Sequence, residues 1–126
     1  MHDPDKTNNF GGPMDLRTLV DYAYPREAVH KRDLRMGDRV LVKTKNSTYT
    51  IWVMGEGQYR VSGGWFDRHG ESPSSTGING CTWGGRVIHT GLIAAPGLFL
   101  EFGNEVVTTR IQTVHLIRHD THSAPN

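Results

Sequence analysis

Three short runs of alternating polarity, 37–44, 48–54 and 58–65, are separated by two compact turn signals, and few folds accommodate them. In the first, Val40 and Val42 alternate with Arg39, Leu41 and Lys43. In the second, Tyr49, Ile51 and Val53 alternate with Thr48, Thr50, Trp52 and Met54. A two-residue period puts successive side chains on opposite faces of a strand, so each run reads as a strand buried on one side. Lys45-Asn46-Ser47 and Gly55-Glu56-Gly57 are the turn chemistry that joins such strands, and together they predict a β-meander.

The 126 residues fit one domain with one core, and 36% hydrophobic residues with 15 glycines favour a turn-rich β protein over a helical bundle. No apolar run approaches the roughly 20 residues of a membrane span, so a soluble chain without membrane partners is expected. The start, Met1 to Phe10, lacks the basic and apolar regions of a secretory signal, and a single cysteine permits no internal disulfide. Both features predict the cytoplasm. A formal net charge of +1 is far from that of a general polyanion binder, so any nucleic-acid site has to be a local patch.

Residues 1–12 are polar and aperiodic and read as a flexible tail, as do residues 119–126. Residues 13–36 read as a helical extension and a basic connector. Pro13 suits a first helical position, and Leu16, Leu19, Val20 and Ala23 share a face at helical spacing. Pro25 ends that helix at Tyr24 or restarts it as a short turn through Val29. Residues 63–85 read as a long loop with a mobile centre at Ser72 to Gly77 and flanks pinned by Trp65-Phe66 and Cys81-Thr82-Trp83. Beyond it, strands are expected at Arg86 to Thr90 with Leu92-Ile93, and at Leu98 to Phe102. A Gly103-Asn104 hairpin, a turn of tight helix near Arg110 to Thr113 and a last strand at Val114 to Ile117 follow. This element order over Gly37 to Arg118 resembles the SH3-like small barrel. The expected fold is mainly β: one such barrel of about six strands, with a short N-terminal helical extension.

Several constellations are candidates for chemistry. Among seven histidines, those near the C-terminus include His115, His119 and His122, but their spacing matches no closed metal set, and His69, His89 and His115 form only a weak metal alternative. Asp67, His69 and Glu71 alternate in the long loop with Cys81 nearby, as a general acid and base or mixed ligands require. Cys81 itself reads as a small buried hydrophobe opening a strand. The doublets Gly63-Gly64 and Gly84-Gly85 match neither a phosphate-binding loop nor a dinucleotide fingerprint.

Aromatic rings beside arginines carry the leading reading. Trp52, Trp65, Phe66 and Trp83, with Arg68, Arg86 and also Arg60, are the residue types that dominate binding hot spots. The expected function is that of a non-catalytic binding or assembly module. It recognises a protein partner through an aromatic loop and a barrel face, using Trp52, Trp65, Phe66, Arg68, Trp83 and Arg86, with no cofactor. One alternative is single-stranded nucleic-acid (RNA) binding through Arg26, Lys31, Arg32, Arg35 and Lys43. The other is a small metal protein or enzyme using the loop histidine and carboxylates.

Overall fold

The computed structural model describes residues 24–25 and 27–119. Within them the chain forms strands β1 (Tyr24–Pro25), β2 (Val29–His30), β3 (Arg39–Thr44), β4 (Thr48–Gly55) and β5 (Gln58–Gly63), then helix α1 (Gly64–Arg68). There follow β6 (Ser74–Thr76), β7 (Ile78–Thr82), β8 (Ile88–His89), β9 (Leu92–Ala94), β10 (Phe99–Phe102) and β11 (Ile111–Ile117). A six-stranded sheet has the order β1-β11-β3-β4-β5-β6, a three-stranded sheet the order β10-β7-β8, and β2 pairs with β9. All the pairings are antiparallel.

The meander forms as the alternation predicts. Val40 lies opposite Ile51, which lies opposite Val61, and Val42 lies opposite Tyr49. All five are buried, and they merge with Phe66, Cys81, Leu100, Phe102, Ile111, Val114 and Leu116 into one core shared by the sheets. Burying each of the aliphatic side chains contributes about 1.5–3 kcal/mol.

The sheets do not close into the expected barrel of about six strands; the fold is mostly β, divided among three sheets. The N-terminal helix expected over 13–24 lies outside the described residues except at its end. There Tyr24 and Pro25 pair with Leu116 and His115, and Val29 and His30 with Ala94 and Leu92, so no helical turn runs through Val29. The segment 63–85 is not a structureless loop. It carries α1, β6 and β7, and its serine-rich centre pairs with β5 in the register Val61 to Ser74, Arg60 to Ser75 and Tyr59 to Thr76. Polar composition misleads here because β6 is an edge strand, where solvent-facing serines are well tolerated. The break in alternation near Arg110 is a register shift between Ile111 and Thr113 as β11 pairs with β3, not a turn of helix. Past Gly103-Asn104, pairing reduces to a bridge between Glu101 and Val107.

Tyr49 explains the second glycine of the first doublet, Gly64. Its buried ring fills the space a side chain at Gly64 would need, and Gly64 itself has φ of 45°. The Trp65 N–H donates to the Tyr49 hydroxyl at 3.2 Å, so α1 starts directly on this ring. Phe66 then enters the core edge-on to Phe102, with centroids 5.0 Å apart, and to Tyr49 at 6.3 Å.

The connector before β3 and the C-terminal end of the described chain are fastened together through Asp38, which is 1% exposed. Its carboxylate accepts the Arg35 N–H at 2.9 Å, the His119 N–H at 2.9 Å and the Arg118 Nη1 at 2.7 Å. The same Arg118 nitrogen donates to the Asp33 carbonyl at 2.7 Å. Burial alone would raise the Asp38 pKa, but the two backbone donors and the Arg118 guanidinium outweigh it and hold the carboxyl below its usual range.

Asp38→Ala removes the acceptor from two backbone donors and a guanidinium and lowers unfolding stability by about 3 kcal/mol in urea titrations. A depressed pKa contributes stability above the unfolded value near pH ~4 and loses it as pH falls through the folded value, so Asp38→Asn flattens the acid limb of the stability curve. Gly64→Ala collides with Tyr49 and costs about 3 kcal/mol, whereas Gly57→Ala, which meets nothing within 4 Å despite a φ of 76°, costs about 1 kcal/mol.

Candidate functional site

The outer face of the six-stranded sheet is built by the same alternation that builds the core. Register sets Arg39 directly opposite Trp52, and Trp52 directly opposite Arg60, so the indole is flanked across both strand pairs by a guanidinium-bearing residue. Trp52 is half-buried, with Met54 exposed beside it. These two, with Arg60, Ser62, Ser72 and Pro73, line a groove of about 490 Å³. Arg39 opposes Ile117 on its other side, and His115 opposes Leu41 one row along.

The second exposed apolar site is the β7–β8 hairpin. Trp83 is 68% and Val87 71% exposed, with Arg86 exposed between them. The Trp83 indole N–H donates to His89 Nε2 at 3.1 Å. Because an indole can only donate, that nitrogen is the acceptor.

The other residues singled out in sequence are placed differently. Phe66 is sealed in the core at 0% exposure and offers no surface. Trp65 is half-buried against the core and stacks on His69, with ring centroids 4.1 Å apart. Arg68 is exposed and donates to the Ser47 hydroxyl at 3.0 Å, bracing α1 against the β3–β4 turn.

The basic connector does not gather into one patch. Lys31 donates from Nζ to the Ile78 carbonyl at 2.7 Å, pinning the 3-10 turn Lys31–Asp33 to β7. Arg32 lies 4.0 Å from the Asp33 carboxylate, Arg35 is exposed, and Lys43 points outward on β3, while Arg26 lies outside the described residues.

The titratable groups proposed for catalysis or metal are engaged separately. Asp67 accepts the Gly63 N–H at 3.1 Å and the Ser72 hydroxyl, which ties the start of α1 to the chain approaching β6. His69 Nδ1 lies 2.9 Å from the Trp65 carbonyl and therefore donates to it. Glu71 is exposed, and His115 sits on the outer sheet face. Among the described residues no three His, Cys, Asp or Glu side chains come together as a metal site would require. Cys81 is fully buried in β7, donates to the Ile93 carbonyl at 3.4 Å, and has its pKa pushed up to about 12 by burial, only partly offset by the Ala95 backbone and Lys31.

Trp52 and Arg60 were visible in the sequence as members of one aromatic and arginine set, and Arg39 as an outward residue of the first strand, but not their place in one row. The signal that joins them is the pair of short turns, which fixes the register of β3, β4 and β5. Among the described residues no helix is long and apolar enough to cross a membrane. Comparison with protein-family models, with curated proteins and with solved structures finds no match to this chain.

The thiol geometry gives a direct test. Iodoacetamide at pH ~8 leaves Cys81 unmodified in the native protein and alkylates it once urea unfolds the chain, read by intact mass; rapid native labelling would contradict the buried placement.

Proposed function

We propose that the chain is a non-catalytic binding module that recognises a protein partner through the outer face of its large sheet, with Trp52 as the anchor. The exposed hairpin at Trp83, Arg86 and Val87 supplies an additional contact. The observation that carries this reading is the cross-strand row Arg39, Trp52, Arg60 beside a groove to which Trp52, Met54 and Pro73 contribute apolar lining. Trp, Met and Arg are the residue types enriched at the centres of protein interfaces, where acidic residues and lysine are depleted.

The engagement of Asp67, His69 and Cys81 in separate structural contacts supports a role without catalysis. A lone buried thiol also suits the reducing cytoplasm. Nucleic-acid binding through the connector finds less support, because Lys31 is committed to the Ile78 carbonyl and Lys43 lies on a different element from Arg32 and Arg35.

A photo-crosslinking residue in place of Met54 tests the proposal in cells. It is expected to yield discrete polypeptide adducts that disappear when Trp52→Ala is added, whereas the same group at exposed Gln112 yields none. Equal labelling at both positions, or none at Met54, would remove the sheet face as the recognition surface.

A further inference from the structure

The charge on the outer sheet face is one-sided. Of the side chains that alternate outward on β3, β4, β5 and β11, Arg39, Lys43 and Arg60 are cations, His115 is a fourth basic group, and none is Asp or Glu. Among the described residues the three cations make no salt bridge. A chain with a net charge of only +1 has therefore set Arg39 and Arg60 on either side of one half-buried indole, with Lys43 farther along β3, and among the described residues none of the three has an acidic partner. Such an arrangement attracts a complementary anion and rejects a basic partner.

Spacing narrows the ligand. Neighbouring strands lie about 4.8 Å apart, so the backbones carrying Arg39 and Arg60, one strand to either side of Trp52, are about 10 Å apart. A polyproline-like extended peptide rises about 3.1 Å per residue and repeats every three residues, which brings side chains i and i+3 to one side about 9 Å apart. Two carboxylates at that separation meet both guanidinium groups, each of which can grip a carboxylate with two parallel N–H donors. The residue just before the second carboxylate lies about 120° round this three-sided helix, so an apolar side chain there leans off the Arg39–Trp52–Arg60 row toward the groove of about 490 Å³ bounded by Met54 and Pro73.

A single-stranded nucleic acid fits less well. Base stacking along a strand uses successive exposed rings, and among the described residues this face presents a single half-buried indole, with the His115 imidazole two strands away on β11.

We infer that the partner presents an acidic, extended segment, with two carboxylates three residues apart and an apolar side chain between them, laid across β3, β4 and β5. The inference rests on the sheet face being the recognition surface proposed above. It adds the chemistry of what that surface holds.

The test uses the full chain and calorimetric titration with a synthetic peptide containing Glu-Pro-Leu-Glu between Gly-Ser flanks. This peptide is expected to bind, to weaken on raising salt, and to bind about tenfold more tightly than its Gln-Pro-Leu-Gln counterpart. Arg60→Gln, an exposed substitution whose fold is checked by circular dichroism, weakens the acidic peptide about tenfold and leaves the glutamine peptide unchanged. Arg32→Gln, away from the face, changes neither. Equal affinity for the two peptides, or tighter binding of a single-stranded oligonucleotide that displaces the acidic one, overturns the inference. If the Met54 adducts form and the acidic peptide neither binds nor competes with them, the acidic partner is wrong and the binding module stands. If adducts and peptide binding both fail, the module falls as well.

Discussion

Asp38 holds the fold shut. It stands one residue before β3, the strand on which the rest of the large sheet is laid, and it receives hydrogen bonds from the connector before that strand and from the chain just after β11. Because β3 and β11 are neighbours, a clasp at this corner fixes the side of the sheet to which β1 is also attached. Gly37, with φ of 94°, lets the chain turn beneath His119, whose ring occupies the space a side chain there would take. A buried carboxylate without donors would cost several kcal/mol, so the three donors are a condition of its burial.

A second dependency runs through Tyr49. Its ring is at once a core element, a seat for α1 and a hydrogen-bond acceptor for the first turn of that helix. The five-residue α1 is too short to persist alone, and its position is set by Phe66 locking into Phe102 and Tyr49 and by Asp67 and Arg68 reaching back to neighbouring elements. The residues between Gly63 and His69 that most resembled a recognition loop thus spend most of their polar and aromatic groups on holding the helix in place.

The legible parts of the sequence were those governed by local periodicity. Val40, Val42, Tyr49, Ile51 and Val53 could be assigned to buried strand faces because their two-residue spacing is uninterrupted, and Cys81 to the interior because an unpaired thiol favours burial. What was not legible depended on distant pairing. Ser74 to Thr76 become a strand only because β5 offers an edge, and β2 exists only against β9. Composition points to neither. Among the site residues, Trp52 was recognisable by type, but its flanking by Arg39 and Arg60 is a property of register between three strands, and Phe66 could be separated from the exposed rings only by its packing.

Because side chains on a strand alternate with a period of two, the hydrophobic interior and the cationic exterior of the meander are written in the same frame. Insertion or loss of a single residue in either tight turn, 45–47 or 55–57, would rotate one strand relative to its neighbour and exchange the two sets of side chains. The indole and its guanidinium neighbours would then turn inward while valines faced water. The lengths of these two turns are accordingly under a double constraint: any change to the outer surface that works by shifting a strand destroys the packing beneath it, so the chemistry of that surface can be altered only by substitution in place.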